Sequence, residues 1–420
     1  MLFAGQVIPL SIEKPAAGGR MIARADGQIV LVGGAVPGER VTARVGRIAR
    51  GVAYAETIAV DEPSADRRPA IADPLCGGCL YAHIVYPRQL ELKRLVIADA
   101  FARIGRLPLR SAVPVAASPE QGYRMRARLH LRGGRLGFFR EGTHDLCDAR
   151  ATRQLLPATC DVLERVEAGL RSLGSDVACE VELSENVDAS ERVMHIETTS
   201  AAGATASALE TLAATEGLTA APFVTDRLTL GEQAPIALRR HVLAFFQGNR
   251  YLLHDLVVHV AGQVPPGSVA IDLYAGAGLF SIAVAATRGA RVTAVEGDRL
   301  AAADLAANAA ASNTEVTVVH QSVEAFVHRV ARSVSRDVRA PTDRAATIIV
   351  DPPRTGMSRE ALDGVLALGA PRLVYVSCDI ATLARDARRL VDAGYALGRV
   401  DGFDLFPNTP HVETVVVFDR

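Results

Sequence analysis

The sequence is poor in cysteine, in lysine and in long hydrophobic runs. Six cysteines in 420 residues are too few for a disulfide-stabilised scaffold. The least polar stretch, Leu273–Ala286, is too short to cross a bilayer and is interrupted by glycines. Met1–Glu13 lacks a charged segment followed by an apolar one, so we expect no signal peptide. These absences predict a soluble, cytoplasmic protein that does not contact membranes and keeps its thiols reduced.

The charge balance excludes a strongly basic nucleic-acid-binding protein. The formal net charge is -1 and the isoelectric point is about 6.8, so no overall positive field is present. Nearly all cations are arginine, since Lys14 and Lys93 are the only lysines. Genome composition explains that bias as well as phosphate binding does. Hydrophobic residues make up 49% of the chain, which can therefore bury sizeable cores in two or three domains.

The first 60 residues predict a small β-barrel. Short apolar runs alternate with turns rich in glycine and proline. The predicted strands are Phe3–Leu10, Gly27–Val32, Glu39–Val45 and Ala53–Val60. Six arginines lie in or beside these strands, so the segment is either an oligonucleotide-binding barrel or a plain barrel with solvated arginines.

A second basic feature lies further along the chain. Arg124, Arg126 and Arg128 alternate within Tyr123–His130, which places them on one side of a predicted strand. Three cations on one face repel each other unless an anion compensates them, and a phosphate backbone is such an anion. The alternative is a strand face that is solvated or paired with acidic residues of the same fold. A helix is predicted just before this strand, over Gln89–Ile104.

From about residue 240, strand-like runs alternate with segments of helical length. This alternation predicts βαβ units and a doubly wound parallel sheet, whose ligands bind at the carboxyl ends of the strands. The predicted strands are Val269–Tyr274, Arg291–Glu296, Val316–His320, Ala346–Val350 and Arg372–Ser377.

A nucleotide-type cofactor site is predicted after the first of these strands. The chain turns on Gly276 and Gly278, and Glu296 ends the next strand, where a carboxylate can accept ribose hydroxyls. Ser281 replaces the third glycine of the dinucleotide fingerprint, and Asp272 lies at the end of the first strand. Both details favour S-adenosylmethionine over a dinucleotide.

Groups suited to covalent chemistry follow the later strands. Asp351-Pro-Pro forms a stiff turn with a carboxylate at the predicted cleft. Cys378 stands at a strand end before a helix, and a helix N-terminus is expected to lower a thiol pKa. His411 and Glu413 each offer a general base near the terminal strand. Each motif alone also has a purely structural explanation, but all of them fall at one edge of one sheet.

Taken together, these motifs resemble the S-adenosylmethionine-dependent RNA 5-methyluridine methyltransferases. The resemblance implies that Cys378 is the nucleophile and Glu413 the general base. It also implies that Gln247, Tyr274, Glu296 and Asp351 bind the cofactor beside the glycine turn. Residues 1–60 resemble the TRAM RNA-binding domain of that family. The matching stretches are Phe245–Asn249, Asp272–Gly278, Asp351–Gly356, Ser377–Asp386 and Thr409–Glu413.

The chain departs from the family in its cysteine loop. Many relatives bind a [4Fe-4S] cluster through four cysteines, and Cys76 and Cys79 match two of them. Ala70 and Thr152 stand where the other two are expected. Because two thiolates cannot hold a cluster alone, we expect no cluster here unless Cys147 or Cys160 supplies a ligand.

The sequence thus predicts an α/β protein with three parts. Residues 1–60 form a TRAM-like, OB-like barrel, 61–238 a central α+β domain, and 239–420 a Rossmann-like class I methyltransferase domain. The expected activity is formation of 5-methyluridine in RNA through a Cys378 adduct at uracil carbon 6. 23S rRNA is favoured as the substrate over tRNA, and a monomer is expected. Methylation of another base, or an RNA-binding or chaperone protein on a methyltransferase fold, remain the alternatives.

Overall fold

The N-terminal segment forms an antiparallel sheet with one parallel pair. The computed structural model describes residues 2–172, 179–198, 215–231, 235–334 and 345–420. Six strands lie in the order β1-β5-β6-β4-β3-β2, and only β4 and β6 run parallel. They are β1 (Val7–Ser11), β2 (Lys14–Pro15), β3 (Met21–Ala25), β4 (Gln28–Gly33), β5 (Arg40–Ala49) and β6 (Val52–Glu62). The four predicted strands are confirmed, whereas β2 and β3 were not predicted.

The central part contains a five-stranded antiparallel sheet covered by a helix. Its strand order is β10-β9-β8-β11-β12, and α2 packs leucine and valine side chains against one face. The elements of this part are α1 (Tyr86–Arg103), β7 (Val115–Ala116), β8 (Arg126–Arg132), β9 (Arg135–Phe139), β10 (Leu146–Asp148), α2 (Pro157–Ser172), β11 (Cys179–Glu185) and β12 (Arg192–Thr198). The predicted helix before the basic strand is confirmed as α1, which begins three residues earlier than expected.

The C-terminal part is the predicted doubly wound sheet. Strands β17-β16-β15-β18-β19 run parallel, β21 inserts antiparallel between β19 and β20, and β7 completes the edge. Besides β7, its strands are β15 (Val269–Leu273), β16 (Arg291–Glu296), β17 (Val316–His320), β18 (Thr347–Val350), β19 (Arg372–Ser377), β20 (Ala396–Phe403) and β21 (Glu413–Asp419). β13 (Phe223–Leu228) and β14 (Ile236–His241) form a separate two-stranded antiparallel sheet before it. The helices are α3 (Leu253–Ala261), α4 (Leu279–Arg288), α5 (Arg299–Ala311), α6 (Val323–Val334), α7 (Arg359–Leu368) and α8 (Ile380–Asp392).

Helix α1 joins two hydrophobic cores. Leu92 is buried with residues of the N-terminal sheet. Ile97 and Phe101, on the next turns, are buried in the core of the C-terminal sheet. β7 also pairs with β20 of the C-terminal sheet. The segment from the end of α1 to β7, which lies in sequence between the N-terminal and central sheets, therefore packs with the C-terminal sheet.

The strand order brings the predicted motifs to one edge. β15 lies between β16 and β18, so the chain leaves the sheet in opposite directions on its two sides, and such a switch point opens a crevice for ligands. The carboxyl ends of β15, β16, β18 and β19 all face this crevice because these strands are parallel. Within the described part of the chain, no helix is long and apolar enough to cross a membrane.

Candidate active site

The glycine turn after β15 is shaped by residues with positive φ. Tyr274, Gly276 and Gly278 have φ angles of 63°, 56° and 94°. A Cβ atom on Gly278 would lie 2.6 Å from Leu305 Cδ1, so that leucine side chain would have to move, and the positive φ would be strained for any other residue. The backbone of this turn is therefore held in a conformation that favours glycine at Gly276 and Gly278.

Glu296 fixes the turn from the neighbouring strand. Its Oε2 accepts a hydrogen bond from the Gly276 amide at 2.7 Å, and its Oε1 accepts one from the Asp298 amide at 2.6 Å. Each carboxylate oxygen keeps a further lone pair, so the group can still accept ribose hydroxyls as the sequence predicts. Its role in cofactor binding stays a prediction.

A second carboxylate lies beneath the turn. Asp272 is fully buried, and burial raises its pKa to about 7, while the Ser281 hydroxyl opposes the shift by donating to Oδ2. The sequence identifies Ser281 only as the residue that replaces a third glycine. In the structure, its hydroxyl provides a hydrogen bond to one oxygen of the buried Asp272 carboxyl group.

Gln247 and Asp351 meet on the other side of the turn. Gln247 Nε2 donates to Asp351 Oδ2 at 3.2 Å, and burial together with the nearby Asp272 raises the pKa of Asp351 to about 7. Tyr274 lies half-buried at the same edge, and burial raises its pKa. The residues predicted to bind the cofactor thus surround the end of β15, although their contacts with a cofactor remain predictions.

Cys378 follows the last residue of β19, as predicted, but its thiol is less acidic than expected. Burial, followed by the charge of Glu413, raises its pKa to about 11, and only Arg354 acts in the opposite direction. The expectation of a lowered pKa is wrong because the thiol is buried and lies near the Glu413 carboxylate. Asp379, in addition, caps helix α8. Its carboxylate accepts from the amides of Ala381 and Thr382, so the positive helix end is already compensated.

Glu413 lies beside the thiol across two paired strands. Ser377 of β19 pairs with Thr414 of β21, and Cys378 and Glu413 are the next residues of that antiparallel register. Burial and Asp351 raise the pKa of Glu413 well above its ordinary value. Its Oε1 has no hydrogen-bond partner among the described residues, so this oxygen can receive a proton without first breaking a contact.

His411, the alternative base, is less suited to the role. Burial and the charges of Arg354 and Lys93 lower its pKa to about 4. A raised carboxyl pKa makes Glu413 the stronger proton acceptor of the two. The choice between them stays a prediction.

Three side chains that sequence reasoning missed hold this edge together. Arg354 lies beside the Cys378 thiol and lowers the pKa of both Cys378 and Glu413 against the larger effect of burial. Asn249 Nδ2 donates to the Leu405 carbonyl at 3.0 Å, which links the Gln247 segment to the segment before Glu413. Asn308 is buried and donates to the Ala277 carbonyl at 2.9 Å. The Asp-Pro-Pro-Arg run was a signal for Arg354, and the Phe245–Asn249 stretch was one for Asn249, whereas no motif marks Asn308.

The three strand arginines find partners within the protein. Arg128 Nε donates to Glu182 on β11 at 2.5 Å. Arg124 donates to the Gln154 side chain at 2.5 Å, and Arg126 is largely buried, which lowers its pKa to about 10. The argument that this face needs an outside anion is therefore wrong for Arg128, because a neighbouring strand supplies the carboxylate. Contact of these residues with RNA stays a prediction.

The cysteine loop does not fit an iron–sulfur cluster. Cys76 and Cys147 form a disulfide, which contradicts the expectation of reduced thiols and removes Cys147 as a replacement ligand. Cys79 is buried, with its Sγ 3.9 Å from the Thr152 carbonyl oxygen, and Cys160 belongs to α2. Among the residues that the structure describes, no three His, Cys, Asp or Glu side chains form a metal-binding group.

Comparisons with known proteins agree with this architecture. The family model described as tRNA (Uracil-5-)-methyltransferase matches residues 219–420, and the TRAM domain model matches residues 2–58. The chain is 34% identical to 23S rRNA (uracil(1939)-C(5))-methyltransferase RlmD of Halomonas elongata, over 98% of this chain and 89% of that one. It is 33% identical to the protein of the same name from Pseudomonas fluorescens, over 98% and 91%.

A solved structure has a similar fold along the whole chain. It is the Pyrococcus abyssi tRNA (uracil-54, C5)-methyltransferase in complex with S-adenosyl-L-homocysteine. Its TM-score is 0.74 at 22% sequence identity, and the match covers 97% of this chain and 99% of that one. The likeness shows that the two chains share a fold.

Proposed function

The chain belongs to the family of RNA (uracil-5-)-methyltransferases, and from this premise we propose that it converts a uridine of 23S rRNA to 5-methyluridine. The family, the fold class and the enzyme class that the motifs predicted are confirmed by the relatives and by the TRAM match. The particular RNA, the covalent mechanism and the roles of single residues are the content of the proposal.

The proposed reaction needs one nucleophile and one base. The Cys378 thiol loses its proton to solvent and its sulfur adds to carbon 6 of uracil, while the electron pair of the carbon 5–carbon 6 double bond moves to form an enolate, which makes carbon 5 nucleophilic. Carbon 5 then forms a bond to the methyl group of S-adenosylmethionine, the bond between that methyl group and the sulfonium breaks, and S-adenosylhomocysteine leaves. Glu413 then removes the proton from carbon 5, the double bond reforms, and the carbon 6–sulfur bond breaks to release Cys378.

The observation that carries this proposal is the register of β19 and β21. It places Cys378 and Glu413 side by side at the sheet edge that also holds the glycine turn, Glu296 and the Gln247–Asp351 pair. A thiol and an unpaired buried carboxylate next to a nucleotide-type turn are what carbon 5 methylation requires. Transfer of the methyl group to an exocyclic amine would require neither the Cys378 thiol nor the Glu413 carboxylate.

The choice of RNA rests on the N-terminal domain and on the relatives. The TRAM-like sheet presents exposed arginines, and Arg47 stacks over the Tyr54 ring at 3.9 Å, an arrangement suited to binding RNA. The two relatives named above act on 23S rRNA by name and match nearly the whole chain. A tRNA substrate is the second candidate, because the matching family model carries a tRNA name.

The test is to map 5-methyluridine in total RNA from cells with and without the gene. Loss of one 23S rRNA position is expected, whereas loss of a tRNA position would support the second candidate. Complementation with Cys378→Ala should not restore the mark, and the purified variant should still bind S-adenosylmethionine. Normal methylation by this variant would overturn the covalent mechanism. An unchanged modification profile would favour an RNA-binding protein without this activity.

A further inference from the structure

The segment that carries Gln247 is held from outside the C-terminal sheet. Residues 248–250 pair with residues 123–125, immediately before β8. The Met125 amide donates to the Gly248 carbonyl, and the Arg250 amide donates to the Tyr123 carbonyl, both at 2.9 Å. The central domain thus fixes the backbone next to Gln247, whose own side chain reaches Asp351.

Arg250 strengthens this attachment with its whole guanidinium group. Its Nε donates to the Gly122 carbonyl at 2.9 Å, and its Nη1 donates to the Val187 carbonyl at 2.8 Å. Nη2 donates to Glu185, which is fully buried. Arg250 itself is only 8% exposed, so its bonds are made away from water, where losing one is costly.

We propose that Arg250 is a positioning residue for S-adenosylmethionine, acting through Gln247. By fixing the backbone three residues away, it orients the Gln247 amide against Asp351 at the edge of the glycine turn. The central domain then contributes to the cofactor site by holding the segment that carries Gln247. This inference rests on the proposed function, since it takes Gln247 as a cofactor-binding residue.

The chain offers a matched control in Arg192. Arg192 donates to the same buried carboxylate, Glu185, and is 7% exposed. Its other partners are Thr159 and the Gly217 carbonyl, which lie away from the Gln247 segment. Removing either arginine leaves Glu185 with the other one, so the two losses cost similar stability. Of the two substitutions, only the loss of Arg250 removes side-chain hydrogen bonds that anchor the segment beside Gln247.

The experiment measures S-adenosylmethionine binding by calorimetry and thermal unfolding for the full chain and its variants. Arg250→Met is expected to weaken binding by about 10- to 100-fold, the cost of a misplaced binding group. Arg192→Met is expected to lower the unfolding temperature comparably and to leave binding within about twofold of the wild type, since no binding group moves. Gln247→Ala removes the binding side chain itself, so it defines the largest loss of S-adenosylmethionine affinity that displacing Gln247 can cause.

A conservative variant keeps the test decisive if Arg250→Met does not fold. Arg250→Lys keeps the charge beside Glu185, but one ammonium group cannot reach the Gly122 and Val187 carbonyls together. It should lose part of the cofactor affinity and less stability than Arg250→Met, because it keeps the ion pair with Glu185. Normal binding by Arg250→Lys, or equal losses for the Met variants of both arginines, would overturn the inference. Failure of the wild type to bind S-adenosylmethionine would instead refute the proposed function.

Discussion

The surroundings of Cys378 decide when its thiol becomes reactive. Its pKa of about 11 means that only about one thiol in a thousand is ionised at pH 8. We therefore expect iodoacetamide to modify Cys378 about a hundredfold more slowly at pH 8 than it modifies a free cysteine, whose pKa is about 8.5. The rate should rise about tenfold per pH unit up to about pH 11, as followed by peptide mass spectrometry.

Arg354 supplies the control for this measurement. Because its charge lowers the thiol pKa, Arg354→Met should slow alkylation further at every pH below 11. A rate that levels off between pH 8 and 9 would show that the thiol is not perturbed by burial.

Glu413→Gln should trap a covalent adduct between the enzyme and RNA. Addition of Cys378 and methyl transfer do not need the carboxylate, but removal of the carbon 5 proton does, so elimination stops. A denaturing gel with labelled RNA should show a shifted band that disappears in the Cys378→Ala, Glu413→Gln double variant. Normal turnover without a band would transfer the role of base to His411.

Single residues were predictable from the sequence where a motif fixed their position, but not where packing fixed their chemistry. The sequence correctly predicted that Cys378 and Glu413 lie at one sheet edge, because β19 ends just before Cys378 and the antiparallel strand β21 begins beside it at Glu413. It was wrong about the direction of the thiol pKa, since neither burial nor the capping by Asp379 is visible in a motif. The task of Ser281 depends on a contact with Asp272 that only the fold creates.

At the scale of elements, the basic strand β8 combines structural and surface roles. Glu182 on β11 pairs with Arg128, whose side chain is 64% exposed. If Arg128 also meets an RNA phosphate, Glu182 competes with the RNA for it. We expect Glu182→Gln to raise RNA affinity at low salt, and Arg128→Ala to flatten the slope of log affinity against log salt by about 0.7–0.9. An unchanged slope for Arg128→Ala, together with an unchanged affinity for Glu182→Gln, would show that Arg128 pairs with Glu182 and does not meet RNA.

The cysteine loop should hold no iron in this chain. Two of the four expected ligand positions are Ala70 and Thr152, and Cys76 is bonded to Cys147. Protein purified without oxygen should therefore contain no stoichiometric iron or acid-labile sulfide and show no visible absorption. Alkylation before and after reduction should reveal the linked Cys76 and Cys147 peptides. Four sulfide and four iron atoms per chain would show that other ligands replace the missing cysteines.

At the scale of the whole molecule, the sequence predicted the parts better than their connections. The alternation of strands and helices after residue 240 predicted the parallel sheet, and three of its five strands begin and end where expected. The pairing of β7 with β20 was not predictable, because a two-residue strand has no periodicity of its own. The sequence also could not predict that α1 packs in two cores, since an apolar helix face does not indicate how many cores it contacts.

Helix α1 should make the N-terminal and C-terminal cores unfold together. Leu92 lies in the first core, and Phe101, nine positions further along the same helix, lies in the second. Unfolding of α1 would therefore expose both cores to water. We expect Leu92→Ala and Phe101→Ala each to lower the free energy of unfolding by about 2–5 kcal/mol. Scanning calorimetry should show both variants shifting one shared transition. Two transitions, each sensitive to only one of the substitutions, would mean that the cores unfold independently and that α1 frays between them.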